Sequence, residues 1–521
     1  MHIGSLLARA ARLHPSNAAI VDRGVVLDYA GFHDRAARLA AYLRSVGLAP
    51  GDRVSVLCWN RPEFLEAYFA GAFAGLVVNP LNVRLSAAEQ VGVLRDCGSR
   101  HLLAQAHFAP LVAEMLSLGA PIEGVTWIAG AANVSVPSVA YEEALRSSTD
   151  GFTAAEPAGD APAHLYYTSG TTGRPKGVIL THRNVVTHAL GTLAELGLSE
   201  RDTWAHIAPL FHLADAWATF AITWAGGRHA HLERFEARAA LDVLERERVT
   251  LTNLIPTMLN LMVKDDTAGA RDWSALRLIL SGGAPIAPDV VRRIVDTFGC
   301  EYVQTYGMTE TSPYLTLSLL KEHLKALPRE EQMRYRAKTG RPFATIDLRV
   351  VGEDGREVPP DERTVGEIRV RGETVTPGYW NRPEETAAAF QDGWLKTGDL
   401  AVIDSEGYVT IVDRAKDMII TGGEKVYSTE VENVLYAHPA VLEAAVYGAP
   451  DPVWGETVRA ALVLRPGTQL DVGEILAFCR ARLTHYKAPK GVDFLAELPR
   501  TGSGKIAKRL LRAPRSGLDG A

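Results

Sequence analysis

Apolar positions recur along the chain with two periods, helical and alternating, and the two take turns. Ile3, Leu6, Leu7, Ala10 and Leu13 share one helical face, with Arg9 and Arg12 off it. Residues 1–13 are therefore predicted as an amphipathic helix, without the apolar core of a signal peptide. Residues 18–21 and 25–29 are apolar runs around Asp22-Arg23-Gly24, which predicts a hairpin. An Ala/Leu/Arg helix follows over 30–46. Residues 53–58 and 77–80 are predicted strands, separated by a helix that begins at Pro62, where a missing N–H costs nothing. Such alternation predicts an α/β fold with doubly wound parallel sheets.

The same pattern continues beyond residue 160, and its strands end in distinctive loops. The strand at 204–208 runs into Pro209-Leu210-Phe211-His212, and that at 250–254 stops before Pro256. The strand at 276–280 ends in Ser281-Gly282-Gly283-Ala284-Pro285, and that at 301–305 in Tyr306-Gly307-Met308-Thr309-Glu310. Doubly wound sheets bind ligands at the carboxyl ends of their strands, where these loops fall. Residues 315–341 are predicted as a charged helical insertion, and 346–411 as a β-rich subdomain of short strands and Gly turns. The last hundred residues form a small α+β domain, with an antiparallel pair at 441–448 and 458–464 and a helix over 471–483. The expected division is 1–413 for the large N-terminal domain and 414–521 for a mobile C-terminal domain, joined at Asp413-Arg414-Ala415-Lys416-Asp417.

Composition narrows this picture. With 47% apolar residues, the 521-residue chain can build a large core. A net charge of −6, with both signs spread along the chain, argues against a nucleic-acid partner. The longest apolar run, 67–78, is too short for a transmembrane segment. Cys58, Cys97, Cys300 and Cys479 lie far apart and form no CxxC pair, as expected for buried thiols in the cytoplasm. A homodimer is the prior expectation for assembly.

Residues 166–178, Tyr-Tyr-Thr-Ser-Gly-Thr-Thr-Gly-Arg-Pro-Lys-Gly-Val, carry the strongest chemistry. Thr168, Ser169, Gly170, Thr171, Thr172 and Lys176 combine hydroxyls, open backbone and a cation, the makings of a phosphate cradle. Pro175 and Gly177 break the Walker A spacing, which excludes an ordinary P-loop.

With the loops at 209–212, 281–285, 306–310, 393–399, 413–432 and 499–505, in that order, the chain closely resembles the adenylate-forming enzymes. These include acyl-CoA synthetases, adenylation domains of nonribosomal peptide synthetases, and firefly luciferase. The resemblance runs over nearly the whole chain and implies two half-reactions. A carboxylic acid, fatty or aryl, attacks the α-phosphate of ATP to give an acyl adenylate. Coenzyme A then displaces AMP. By this resemblance the 166–178 loop holds the phosphates, Glu310 binds Mg2+, and Thr309 bonds the α-phosphate. A single hard carboxylate suits a cation that keeps its waters and is shared with phosphates. Gly283, Ala284 and Pro285 border the adenine and Tyr306 stacks on it, while Asp399 and Arg414 hold the ribose. Lys505 bridges carboxylate and α-phosphate, a task suited to a compact ammonium. Lys416 is the hinge about which the C-terminal domain turns between half-reactions.

The resemblance also lines the acyl pocket with His212, Gly282 and Met308, and His212 borders the carboxylate. Asp215, three residues on, is expected in that pocket too, binding a substrate hydrogen or an incoming amine, or else capping a helix or facing solvent. It raises an alternative, an amide synthetase with an amine as acceptor. Ala488 adds to it, replacing a basic side chain that contacts the coenzyme A nucleotide in some relatives.

Overall fold

The computed structural model describes residues 1–146, 149, 151–169, 175–284, 286, 288–500 and 506–512, with the Ser169 side chain left aside. Compactness divides the chain into two units. The first is Met1–Leu348 with Val370–Leu395 and Gly407–Val409. The second is Arg349–Arg369 with Lys396–Glu406 and Thr410–Ala521.

The first unit holds two large sheets. In the nine-stranded sheet, Glu301–Gly307, Leu278–Gly282, Leu251–Leu254, Thr203–His206, Arg228–His231 and Ala18–Asp22 run parallel in that spatial order. Antiparallel strands close both edges, Tyr314–Leu317 and Arg341–Pro342 on one side and Val25–Asp28 on the other. The seven-stranded sheet runs Ser138–Ala140, Gly124–Ile128, His101–Gln105, Arg53–Leu57, Val77–Pro80, Pro162–Ser169 and Pro175–Thr181, parallel except for its last pair. Central strands such as Leu251–Leu254 and Leu278–Gly282 are buried throughout, as parallel strands covered on both faces require.

Local chemistry sets the helix ends. The Pro62–Ala74 helix starts on its proline and stops at Gly75, left-handed at φ +72°. Thr181 and Asn184 form a reciprocal cap at the start of His182–Leu196. The N-terminal helix spans Ile3–Leu13 and buries Ile3, Leu6, Leu7 and Ala10. Leu13 is half exposed, because the helix ends there and its face has run past the core. The expected helical insertion at 315–341 is only partly helical: it gives an edge strand, a short 3-10 turn at Glu322–Ala326 and the helix Arg329–Ala337.

In the second unit, Val441–Asp451 and Gly455–Leu464 pair antiparallel from Val441↔Leu464 to Asp451↔Gly455. The pair extends beyond the predicted runs because Asp451 Oδ1 accepts from the Val453 and Trp454 amides and folds the turn tightly. Helices Ser428–Tyr436 and Val472–Arg480 cover an apolar core built around Ile419, Val446, Ala460 and Leu462. Among the described residues no helix is long and apolar enough to cross a membrane, and all four cysteines are buried and free.

Candidate active site

Two neighbouring parallel strands bring the loops predicted for the nucleotide together. Gly282 and Thr305 are register partners at their carboxyl ends. A Cβ on Gly282 would stand 2.4 Å from Thr305 Oγ1, so only glycine lets the strands close. Gly283 follows at φ +85° and exposes its backbone with Ala284, whose carbonyl accepts from Gln304 Nε2 at 2.9 Å. Tyr306 is half-buried on the adjacent strand end. An open backbone edge beside an aromatic ring fits the flat base expected there. Pro285 lies outside the described residues.

The next turn is rigid. Gly307 packs so closely that a Cβ would be 2.0 Å from the Pro313 carbonyl, whose oxygen also accepts from the Met308 amide at 3.1 Å. Met308 and Thr309 are half-buried, and Thr309–Thr311 is one 3-10 turn. Glu310 is almost enclosed. Its carbonyl accepts from the Thr376 amide at 2.7 Å, and its Oε1 from the Tyr379 hydroxyl at 3.0 Å. Among the described residues no cluster of three or more His, Cys, Asp or Glu could hold a metal. A lone carboxylate of this kind fits magnesium completed by phosphate and water, and no buried all-protein cage.

Lys176 approaches the same place from the other sheet. It is the register partner of Thr168 in the antiparallel pair Pro162–Ser169 and Pro175–Thr181. Its Nζ pairs with Glu385 and lies 5.1 Å from the centroid of the Tyr379 ring. Tyr379 therefore links the lysine to Glu310, by its ring face on one side and its hydroxyl on the other. Gly170, Thr171 and Thr172 lie outside the described residues.

His212 caps the Leu213–Ala225 helix at the end of the loop after Thr203–His206. Asn60 clamps that loop. Its Nδ2 donates to the His206 and Ala208 carbonyls at 3.1 and 2.9 Å, and its Oδ1 accepts from the Leu210 amide at 2.8 Å. Tyr68 donates to the Leu210 carbonyl at 3.0 Å, and its hydroxyl is 2.7 Å from that of Tyr166. With the Tyr68 proton given to Leu210, Tyr166 is the donor of that second bond. The Pro162–Ser169 strand and the His212 loop thus share one tyrosine.

Asp215 does not stand where it was expected. It is fully buried, and its Oδ2 is 2.6 Å from His206 Nδ1 while Oδ1 accepts from Trp204 Nε1 at 3.2 Å. It sits in the first turn of the helix but points back into the sheet, where both its oxygens are occupied. Burial pushes its carboxyl up, against the pull of His206. Trp217 and Phe220 are likewise buried, packing on Trp204 and Tyr68.

In the second unit Asp399 and Arg414, both expected at the ribose, form an ion pair at 3.2 Å. Gly398 turns at φ +72°, and its carbonyl accepts from the Ala415 amide at 2.9 Å. Lys416 lies in the tight turn that follows, where the Asp417 and Met418 amides both reach the Arg414 carbonyl. Burial lowers its ammonium pKa, with Arg414 adding to the effect. Asp413 accepts from Ser428 N and Oγ at 2.5 and 2.9 Å and so anchors the Ser428–Tyr436 helix. Gly422 lies under the exposed Trp454 indole, where a Cβ would come within 2.8 Å of the ring. Ala488 is buried, and Lys487 pairs with Glu430 at 2.8 Å. Lys505 lies outside the described residues.

Sequence reasoning missed Asn60, Tyr68, Tyr379 and Glu385. The first two act on backbone and the last two on other side chains, and nothing local in the chain announces either role.

Residues 7–380 match the family model of AMP-binding enzymes, and residues 430–505 that of the AMP-binding enzyme C-terminal domain. A feruloyl-CoA synthase of an Amycolatopsis species is 40% identical over 512 residues, covering 98% of both chains. A long-chain-fatty-acid–CoA ligase of Mycobacterium tuberculosis is 35% identical over 514 residues, again 98% of both. The solved o-succinylbenzoate coenzyme A synthetase of Bacillus subtilis, in complex with ATP and magnesium, superposes with a TM-score of 0.83 at 32% identity, over 98% of this chain and 99% of that one.

Proposed function

The chain belongs to the AMP-binding, adenylate-forming enzymes, and on that premise we propose how its residues share the work. It is an AMP-forming acid–thiol ligase: ATP and a carboxylic acid give an acyl adenylate and pyrophosphate, and coenzyme A then takes the acyl group and releases AMP. The acid is aryl or fatty, the classes that the feruloyl-CoA and long-chain relatives are named for.

The observation that carries the assignment of roles is Glu310, held on a rigid turn and linked through Tyr379 to Lys176. Magnesium, when bound, neutralises phosphate charge there, and Glu310 is its ligand. Lys176, Thr168 and the 170–172 segment hold the phosphates, and Thr309 bonds the α-phosphate. Gly283, Ala284, Pro285 and Tyr306 take the adenine, and Asp399 and Arg414 the ribose. His212, Gly282 and Met308 border the acyl group, and Lys505 bridges carboxylate and α-phosphate. The body from 414 to 521 turns about Lys416, removes Lys505 and brings Gly422-Gly423 to the pantetheine arm.

The amine alternative loses its footing. Asp215 has both oxygens occupied by His206 and Trp204. The test is mass spectrometry of products from a panel of aryl and fatty acids with ATP, magnesium and either coenzyme A or amines. A thioester that appears only with coenzyme A is expected. Amide formed in coenzyme A-free mixtures at a comparable rate would overturn the acceptor.

A further inference from the structure

A row of polar groups crosses the interior between the Leu213–Ala225 helix and the sheet beneath it. Asp215 Oδ2 meets His206 Nδ1 at 2.6 Å, His206 Nε2 meets His229 Nδ1 at 3.0 Å, and His229 Nε2 meets Thr223 Oγ1 at 3.0 Å. All four residues are fully buried. The row begins and ends on one helix, since Asp215 is in its first turn and Thr223 in its third. Between them it runs through neighbouring parallel strands, where Trp204 and His206 face the register partners His229 and His231. Trp204 Nε1 adds a second donor to the carboxylate at 3.2 Å.

Bond directions follow from the ends. With Asp215 ionised both its oxygens accept, which calls for a proton on His206 Nδ1, and in that tautomer Nε2 is the acceptor. His229 then donates from Nδ1 and accepts the Thr223 hydroxyl proton at Nε2. Every group is satisfied in one direction. Burial pushes His229 and the stacked His231 well down, against their charged forms, and an uncharged His229 is what this direction needs.

Apolar side chains would hold a helix to a sheet at lower cost, because a buried carboxylate is expensive even when paired. A directional row adds a fixed rotation and axial position. The part of the helix it fixes is the part that carries His212. The Asp215 amide donates to the His212 carbonyl at 3.2 Å. Asn253 Nδ2 holds the Ala214 carbonyl at 2.9 Å, and the His206 carbonyl is one of the groups Asn60 clamps. The His206–Asp215 bond therefore closes the loop from 206 to 215, which contains His212, into a ring.

We propose that Asp215 and His206, backed by His229 and Thr223, are positioning residues that set His212 against the carboxylate of the acid. They touch no substrate. The proposal rests on the assignment of His212 to the acyl site given above.

The test compares Asp215→Leu, Asp215→Asn and Thr223→Val in the full-length protein. Leu keeps volume and removes the row. Its kcat/KM for the acid in pyrophosphate exchange should fall at least about tenfold while KM for ATP stays within about twofold, since misplacement acts on one substrate only. Asn donates where Asp accepts, and both imidazoles and the hydroxyl can swap roles, so the row re-forms in reverse and activity should stay within about threefold. Thr223→Val, nearly isosteric, should show the Leu pattern with smaller amplitude, and it decides the matter if the Leu variant does not fold. Hydrogen exchange of the 206–216 segment is measured alongside and should quicken in Leu and Val but not in Asn. Unchanged exchange there, or quickened exchange with an unaltered acid kcat/KM, would overturn the proposal. A wild-type protein with no acid-dependent exchange would instead bring down the reading of the site, while the hydrogen-exchange comparison still decides whether the row holds the loop.

Discussion

Tyr379 and Glu310, 69 residues apart, share a 3.0 Å hydrogen bond, and the tyrosine ring carries Lys176 on its face. One side chain therefore fixes the carboxylate proposed for the metal and steadies the cation proposed for the phosphates.

Tyr379→Phe removes the first function and keeps most of the second. A hydrogen bond to a charged group is worth about 1.5–3 kcal/mol, so kcat/KM for ATP should fall at least about tenfold. Titration of pyrophosphate exchange against free magnesium should show a higher half-saturation point. An unchanged magnesium curve would remove Tyr379 from the metal's support.

Asn60→Ala cuts three bonds to the backbone of the His212 loop. Leaving two carbonyls and an amide without that partner should cost about 2–4 kcal/mol in urea unfolding. The surviving folded enzyme should have a raised KM for the acid. Normal stability would mean that water replaces the side chain without loss.

These two residues mark where the sequence stopped being legible. Strands and loops at their carboxyl ends could be located because apolar period and glycine are local signals. The pairing of Gly282 with Thr305 is the structural reason behind the glycine already picked out. Asp215 departs from its expected place for a related reason. Spacing puts it one turn from His212, but the side chain turns to His206 on a strand that only the folded sheet brings near. Asn60 acts on backbone carbonyls 146 and 148 residues away, and no spacing rule reaches that far.

Lys505→Ala should abolish acid-dependent pyrophosphate exchange, yet leave the conversion of supplied acyl adenylate and coenzyme A to thioester. Parallel assays of the two half-reactions check this. Equal loss of both would contradict a lysine that serves adenylation alone.

Acid should unfold the protein from within. Burial holds His101 and His182 down at about 4, and His164 and His188 at about 3, with the charge of His182 adding to the effect at His164. Above the ordinary histidine value of 6.5 neither state binds a proton at these sites, and their full contribution to stability is present. Between 6.5 and about 4 the unfolded chain takes up protons that the folded one refuses. Each site then removes up to about 1.4 kcal/mol per pH unit as pH falls. Urea midpoints from pH 7.5 to 4.5 should drop steadily, and His188→Gln should flatten the slope. A pH-independent midpoint would contradict the buried neutral state.

The acid is activated by forming a bond from its own oxygen to the α-phosphate. Turnover of a carboxylic acid labelled with 18O in both oxygens, with ATP, magnesium and coenzyme A, tests it directly. AMP carrying one labelled oxygen and a thioester carrying the other are expected. Label in inorganic phosphate with release of ADP, or AMP without label, would contradict it.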